Sequence, residues 1–184
     1  MKIDTKKLTV SAIMIALSTV LSLVKVWEMP LGGSITLLSM LPVCMVSLVY
    51  GISAGLKAAF VYSLGQLALS IAAVVGWGLT PAALVGTVLL DYILPFTLLG
   101  LAGILKDRGK WGTFAGIIFV MLLRFACHFI SGVIIFDIWC EWDNVALYSL
   151  CYNGAYMLPE TILTSVGAFF LLSAKPIMKF LDHE

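Results

Sequence analysis

Apolar residues fill most of this chain in long runs, and short polar connections separate the runs. A helix that crosses a bilayer needs about 20 such residues, and fewer where neighbouring helices shield it. Six segments meet this requirement and predict an all-α integral membrane protein, in which residues 1–184 form a single domain of six transmembrane helices. The segments run approximately from Leu8 to Val24, Leu37 to Tyr50, Ala54 to Val75, Pro81 to Leu105, Gly112 to Phe136 and Tyr156 to Ala174.

The basic residues predict how the helices are oriented, because cytoplasmic loops carry an excess of Lys and Arg. With the N-terminus inside, nine of the eleven basic residues fall at cytoplasmic ends, and both termini are cytoplasmic. The external ends receive only Lys25, while Arg124 lies within the fifth helix. External connections instead hold acidic and aromatic residues, namely Glu28, Asp137, Glu141, Asp143, Trp27, Trp77, Trp139 and Trp142.

The composition agrees with a multi-pass protein of the plasma membrane. Hydrophobic residues make up 61% of the chain and charged residues 11%, whereas about a quarter of a soluble domain is charged. The net charge of +1 gives no basic surplus for nucleic acid. The four cysteines have no CxxC spacing, so we expect no metal, no cofactor and no disulfide; a bond between Cys140 and Cys151 is the one pairing left open.

Polar side chains in the last three apolar segments are candidates for a ligand site, because hydrocarbon does not solvate them. Asp91 lies in the fourth segment. Arg124, His128 and Gly132 follow at i, i+4 and i+8, and therefore share one face of the fifth helix. The stretch YSLCYNGAYMLPE from Tyr148 to Glu160 places Tyr, Asn and a carboxylate at the start of the sixth. Their depths agree with one pocket that opens outwards.

Each of these groups also has a purely structural interpretation. Asp91 or Glu160 could form an ion pair with Arg124 that only fixes helix packing, and Glu160 could be hydrated near the interface. His128 could hydrogen-bond to a neighbouring helix. Tryptophans at helix ends often form the interfacial belt. The external tryptophans nevertheless surround acidic groups, and carboxylates combined with aromatic faces suit a planar cationic ligand.

Two further features concern partners and energy. The chain has no G-x-x-x-x-G-K-[ST] phosphate-binding loop, so uphill transport would draw on an ion gradient or on a partner. Ala12 and Ala16 in the first helix form a small-x-x-x-small pair that lets another helix approach closely, either from a partner or from within this protein.

Four motifs in order resemble the ThiT/YuaJ family, the thiamine-specific S components of energy-coupling factor (ECF) vitamin transporters. The motifs are PLGGSITLLSMLP (Pro30 to Pro42), DYILPFTLLGLAG (Asp91 to Gly103), RFACHFISGVI (Arg124 to Ile134) and YSLCYNGAYMLPE. The resemblance implies a six-helix membrane domain with an outward-facing vitamin site, closed by the loop between helices 1 and 2. It also implies assembly with a transmembrane coupling subunit and two ATP-binding subunits, with Ala12 and Ala16 at the docking surface.

The resemblance further implies roles for individual residues. His128, Tyr148 and Asn153 correspond to positions that hydrogen-bond the aminopyrimidine ring of thiamine. Asp91 replaces a glutamate that faces the thiazolium, Tyr92 matches a family tyrosine, and Gly132 matches a glycine that makes room for the ligand. Phe136 replaces a stacking tryptophan. Trp27 is a candidate aromatic from the lid, and Trp139 is a candidate substitute for the missing ring.

The sequence therefore predicts a non-enzymatic, thiamine-binding S component of an ATP-driven importer. The exchanges at Asp91 and Phe136 leave open a thiamine precursor or a related pyrimidine as ligand. Two hypotheses from other classes are an intramembrane enzyme that uses Asp91, His128 and Glu160 as acid and base, and a secondary transporter that works alone. No recognised motif places a nucleophile and a base together.

Overall fold

The computed structural model of the chain describes residues 5–174. The α-helices are α1 (Thr5–Leu23), α2 (Leu41–Tyr50), α3 (Ile52–Gly76), α4 (Pro81–Thr87), α5 (Leu94–Thr97), α6 (Gly109–Ile134) and α7 (Val145–Ser173). A π-helix, Val88–Ile93, joins α4 to α5, and 3₁₀-helices cover Leu98–Arg108 and Phe136–Trp139. Lys2, Lys175, Pro176 and Lys179, which entered the predictions of orientation and of the last helix end, lie outside the described residues.

Four helical stretches of the described chain are long and apolar enough to cross a membrane: Thr5–Leu23, Ile52–Gly76, Pro81–Ile134 and Val145–Ser173. The third has 54 residues, which as one straight helix would extend about 80 Å, far beyond the bilayer core of about 30 Å. The chain instead turns at Gly109, whose φ is 71°, and α6 packs back along the 3₁₀-helix Leu98–Arg108. The prediction of an all-helical membrane protein is confirmed.

The connection between α1 and α2 contains a small antiparallel hairpin that the apolar pattern did not predict. Strand β1 (Lys25–Glu28) pairs with β2 (Ser34–Thr36), and Trp27 lies opposite Ile35. The turn between the strands contains Gly32 and Gly33, at φ of 84° and 86°. Glycine adopts such angles without steric cost, so the two residues let the strands reverse within a few positions. The hairpin (residues 25–36) leaves less chain for the second helix, which begins at Leu41 rather than Leu37.

Three predicted helix boundaries need correction. The last helix begins at Val145 rather than near Tyr156, because the Asn144 side chain caps it by accepting the Leu147 N–H at 3.0 Å. Pro159 lies inside this helix without ending it. The fourth segment is not one continuous α-helix. The fifth helix ends at Ile134, so Phe136 lies on the following 3₁₀ turn.

The short helix α2 forms the centre of the core. Every residue from Leu41 to Val49 is buried, and α1, α3, α7 and the 3₁₀-helix Leu98–Arg108 contact it. Its buried Ser47 Oγ donates to Gly100 O at 2.6 Å and accepts the Gly103 N–H at 3.0 Å. A buried polar group is tolerated when it is hydrogen-bonded in this way.

Glycines let the helices around α2 approach to backbone contact. A Cβ added at Gly100 would lie 2.5 Å from the backbone of Gly55 and Leu56, and one at Gly55 would lie 2.6 Å from Gly100 O. Such distances leave no room for a methyl group. This crossing fixes the distance between α3, which lines the cavity described below, and the 3₁₀-helix Leu98–Arg108.

We expect Gly100→Ala to destabilise the fold by about 1–3 kcal/mol, because the added methyl group forces two backbones apart. Gly65→Ala in α3 is the matched control, since a Cβ there would meet nothing within 4 Å. That change should be neutral or stabilise the helix by up to about 1 kcal/mol. The measurement is the thermal unfolding midpoint of each purified variant in detergent; equal midpoints for the two variants would contradict the packing argument.

Candidate ligand-binding site

A cavity of about 290 Å³ lies under the hairpin, close to the lower limit of about 300 Å³ for small-molecule sites. Its walls come from α3, the π-helix, α6, the 3₁₀ turn Phe136–Trp139 and α7. The hairpin turn, residues 29–34, covers it. Charged side chains of both signs line it, namely Lys25, Glu28, Asp91 and Arg124.

Asp91 reaches the cavity from an irregular part of its helix. The π-helix Val88–Ile93 carries it, and Pro95 follows four residues later. Proline has no N–H, so the Asp91 carbonyl cannot receive the usual i+4 hydrogen bond. The cap bond from the Leu94 N–H to the Leu89 carbonyl spans five residues instead of four. Such π-turns are frequent at functional sites, because the wider turn redirects side chains.

The Asp91 carboxylate is held by two side chains of α6. His128 Nδ1 lies 3.0 Å from Asp91 Oδ1, and Ser131 Oγ donates to Asp91 Oδ2 at 2.5 Å. His128 and Ser131 are buried, and Asp91 is partly exposed towards the cavity. Both carboxylate oxygens therefore have a hydrogen-bond donor, as a carboxylate in an apolar setting requires.

The second ring nitrogen of His128 is free within the described part of the chain. Nε2 is buried and has no hydrogen-bond partner there. In a neutral imidazole only one nitrogen carries the proton. The tautomer with this proton on Nδ1 donates it to Asp91 Oδ1 and leaves Nε2 as an acceptor. His128 lines the cavity, so a ligand that carries an N–H donor would satisfy this atom.

Arg124 lies one turn from His128 on α6 and is also buried, with 5% of its surface exposed. Its guanidinium lies 4.6 Å from the centroid of the Phe96 ring, and Nη1 donates to Met40 Sδ at 3.3 Å. Nε has no hydrogen-bond partner in residues 5–174. Within that range neither Asp91 nor Glu160 forms an ion pair with it, so the predicted helix-packing ion pair is wrong. The positive charge remains close to the cavity.

α7 contributes a ladder of three tyrosines, Tyr148, Tyr152 and Tyr156. Successive ring centroids lie 5.9 and 6.5 Å apart, and the Tyr156 ring lies 6.1 Å from that of His128. All three line the cavity. The stretch from Tyr148 to Glu160 is helical, so its polar residues project from α7 itself and not from a loop before it.

Asn153 occupies the same wall and joins α7 to α6. Its Nδ2 donates to the carbonyl oxygens of His128 and Ser149, at 3.2 and 3.0 Å, while Oδ1 accepts the Tyr156 hydroxyl at 2.9 Å. Gly132 faces these groups, and a Cβ there would collide with Ser149 Oγ. The Ser149 side chain thus occupies part of the space that the absent Cβ of Gly132 leaves. Asn153, which hydrogen-bonds to Ser149, lies beside it at the cavity.

The remaining wall is aromatic. Trp77, at the end of α3, lies edge-on to Phe136 with centroids 5.6 Å apart, and both line the cavity. Trp139 lies 5.4 Å from Phe136 but is not among the cavity-lining residues of the described chain. Trp77 rather than Trp139 therefore supplies the second ring of this wall. Tyr92 lines the cavity beside Asp91.

The structure thus brings together most of the predicted site residues: Asp91, Tyr92, Arg124, His128, Gly132, Phe136, Tyr148 and Asn153. Trp27 on β1 is 51% exposed and, like Trp139 and Glu160, is not one of the described residues that line the cavity. Glu160 is fully buried behind the hairpin, so the alternative of hydration at the interface is wrong.

Sequence reasoning did not single out Tyr152 and Tyr156 as site residues, nor the polar face of α3. Two signals were available. The tyrosines follow Tyr148 at i+4 and i+8, and Gln66 and Ser70 are spaced i, i+4 in an apolar helix. Such spacings place side chains on one helical face.

The four cysteines are free thiols, and residues 5–174 contain no group of three potential metal-ligating side chains.

Known thiamine transporters resemble this chain in sequence and in fold. The chain is 31% identical to thiamine transporter ThiT of Bacillus subtilis over 180 residues, covering 90% of this chain and 89% of that protein. It is 34% identical to thiamine transporter ThiT of Lacticaseibacillus paracasei over 101 residues, or 48% of this chain and 50% of that one. The structure of ThiT from Listeria monocytogenes has the same fold, with a TM-score of 0.69 at 22% identity, covering 95% of this chain and 96% of that chain.

The sequence profile of the family described as thiamine transporter protein (Thia_YuaJ) matches residues 8–180, nearly the whole chain. This family is one of transport proteins and not of enzymes. With its apolar helices, the chain is a multi-pass protein of the plasma membrane. The resemblance drawn from the four sequence motifs is confirmed: the chain belongs to the Thia_YuaJ family.

Proposed function

We propose that this protein binds thiamine with high affinity as the substrate-capture subunit, or S component, of an ECF-type importer. Partner subunits hydrolyse ATP, and the site faces outwards when the ligand is captured. The observation that carries the proposal is the buried His128 Nε2, which has no hydrogen-bond partner in residues 5–174, on a ring that contacts Asp91 in a cavity with an aromatic wall.

The chemistry of thiamine complements this arrangement. Its aminopyrimidine ring carries an exocyclic amine. The N–H of this amine could donate to His128 Nε2, which has no hydrogen-bond partner in the described residues. Its thiazolium ring is a planar cation, which suits the Asp91 carboxylate and the faces of Trp77 and Phe136. Burying both rings under the hairpin would supply the apolar part of the affinity.

Roles for the other side chains follow from their positions. Tyr148 holds the aminopyrimidine from α7, and Asn153 offers it the second lone pair of Oδ1, because both Nδ2 hydrogens already bond to the protein. Tyr92 closes the thiazolium end beside Asp91. Arg124 adds hydrogen-bond donors at the base of the cavity and balances the charge of Asp91. Gly132 keeps α6 and α7 close enough for these contacts.

A precursor that contains only the aminopyrimidine is the second candidate ligand. The replacement of the family's stacking tryptophan by Phe136 leaves this ligand open. The presence of Trp77 against Phe136 supports thiamine instead, because this wall retains an indole ring. The hypothesis of an intramembrane enzyme is set aside, since the family consists of transporters.

The proposed topology has six membrane crossings with both termini cytoplasmic. The reversal at Gly109 supports counting Pro81–Ile134 as two crossings, and α2 as a short crossing shielded by its neighbours. The excess of Lys and Arg at alternate ends supports the orientation. The hairpin and the cavity then lie at the external face.

The proposed docking surface for the coupling subunit is α1. Ala12 and Ala16 are exposed, as are Ile13, Leu17 and Val20 beside them. This exposure supports contact with a partner helix rather than packing within this protein. The chain has no phosphate-binding loop, so two ATP-binding subunits would supply the energy.

We expect wild-type protein in detergent to bind thiamine in a saturable manner. His128→Ala and Asn153→Ala should each weaken binding about 10–100-fold, because each removes a buried polar partner worth about 1–3 kcal/mol. Calorimetric titration and tryptophan fluorescence measure the dissociation constants, and Cys151→Ser, at an exposed position on α7, is the control. A folded wild-type protein that does not bind thiamine would refute the substrate.

We expect Asp91→Asn to weaken binding of thiamine about 10–100-fold, since the cation loses its counter-charge. Binding of the bare, uncharged aminopyrimidine should change much less. Titrations with both compounds measure the difference, and Asp137→Asn, at an exposed acidic position, serves as control. Equal losses for the two ligands would mean that Asp91 acts only by orienting His128.

We expect Ala12→Leu and Ala16→Leu to reduce thiamine uptake by cells at least tenfold while the purified variants bind thiamine normally. The larger side chains would separate the two helices at the proposed interface. Ala155→Leu, at an exposed alanine of α7, is the matched control and should retain uptake. Uptake that persists in cells lacking all ATP-binding partners would contradict the coupling.

A further inference from the structure

Glu160 is a buried carboxyl group that does not line the cavity. It lies on α7 and is 0% exposed. Its Oε2 accepts the backbone N–H of Thr36 at 2.6 Å, and its Oε1 accepts the Thr36 hydroxyl at 2.7 Å. Thr36 is the last residue of β2, so Glu160 holds the end of the hairpin that continues into α2. We call this end, residues 36–40, the base of the hairpin.

The base is a tightly turned segment that depends on these bonds. Thr36 Oγ1 gives its proton to Glu160, so Ser39 Oγ, which lies 2.6 Å away, donates to Thr36 Oγ1. Leu38 has a φ of 59°, which is unfavourable for a residue with a branched side chain. Its N–H bonds to the Thr36 carbonyl at 3.0 Å. Such a conformation persists only where its surroundings hold it.

α7 provides a second contact for the same turn, seven residues beyond Glu160. A Cβ added at Gly167 would lie 2.7 Å from Leu38 Cδ2, so the Leu38 side chain packs directly on the glycine. Glu160 and Gly167, two helical turns apart, lie on one face of α7. The base is therefore held on α7 by two buried hydrogen bonds to Glu160 and by close packing on Gly167.

The opposite end of the hairpin, the turn, packs through Gly33 on the Tyr156 ring, but its hydrogen bonds are longer and less buried than those of the base. At the turn, the Tyr152 hydroxyl accepts the Leu31 N–H at 3.0 Å and donates to the Gly32 carbonyl at 3.2 Å. Both bonds are between neutral groups and are only partly buried. Every residue of β1 is exposed. The two bonds of Glu160 are shorter, at 2.6 and 2.7 Å, and buried, so the base is the firm attachment and the turn the loose one.

We propose that Glu160 is a positioning residue for ligand capture. Its carboxylate fixes the base of the hairpin on α7, so that opening of the cavity is confined to the turn, residues 29–33, which Tyr152 holds. The ligand enters when the bonds of Tyr152 break, while the base stays in place. The identity of the ligand rests on the function proposed above, but the anchoring does not.

The anchored base is itself part of the cavity wall. Thr36, Ser39 and Met40 line the cavity, and Arg124 donates to Met40. The bonds that hold Thr36 therefore also keep Met40 in position to accept the hydrogen bond of Arg124. Loss of the anchor would let the wall move together with the lid and shorten the lifetime of a bound ligand.

The test is backbone hydrogen exchange of the full-length protein, in detergent and without ligand. Glu160→Met keeps the length of the side chain but removes both acceptors, which leaves a buried N–H unsatisfied. We expect exchange in residues 25–40 to become faster, on the order of tenfold, with α3 and α6 unchanged. Glu160→Gln retains one acceptor and should restore most of the protection. Glu141→Gln, at an exposed glutamate, is the control.

Thr36→Val provides a second variant that should fold normally. It removes only the hydroxyl, so its effect and that of Glu160→Met should be less than additive if the two side chains act as a pair. Two outcomes with Glu160→Met would overturn the proposal. Unchanged hydrogen exchange would mean that Glu160 does not anchor the base. Equal acceleration throughout α2, α6 and α7 would mean that Glu160 stabilises the packing of the whole bundle.

Ligand kinetics give an independent readout. With thiamine as the probe, Glu160→Met and Tyr152→Phe should both accelerate dissociation at least fivefold, yet only the first should expose the base to exchange. Exposure of the base in Tyr152→Phe would overturn the division into a fixed base and a mobile turn. A wild-type protein that binds no thiamine but shows the expected exchange pattern would support the anchor and refute only the substrate.

Discussion

Hydrocarbon cannot solvate a carboxylate, and this constraint organises the structure around two acidic residues. Asp91 and Glu160 both lie within the helical bundle, where an ionised group must be surrounded by donors. Asp91 receives them from His128 and Ser131. Glu160 receives them from Thr36, through its backbone N–H and its hydroxyl. The first arrangement joins two helices across the cavity, and the second joins the hairpin to α7.

The hydrogen bonds of Asp91 make the two ring nitrogens of His128 different from each other. With the His128 proton on Nδ1, towards Asp91, the other ring nitrogen is left buried as an acceptor. The π-turn that carries Asp91, together with Pro95 beyond it, lets this short side chain reach α6. A regular helix would direct the same residue differently, so local irregularity and site chemistry are connected.

Much of the fold could be predicted from the chain. The run of apolar residues located α1 and α3 to within a few positions, because the length of a membrane helix is a local property. The hairpin was missed because its strands have only four and three residues, too few for an alternating pattern. The start of α7 was missed because Asn144 looked like part of a polar loop, although it caps the helix.

The sequence by itself determined that this is an apolar helical membrane protein of the Thia_YuaJ family, and which helices carry polar groups. Those facts depend on residue type and on spacing along one helix. Only the tertiary structure decided which groups meet. Asp91 pairs with His128 and not with Arg124, Trp77 rather than Trp139 completes the aromatic wall, and Glu160 holds the hairpin. These pairings join residues that lie 37 to 124 positions apart, and no local pattern encodes such contacts.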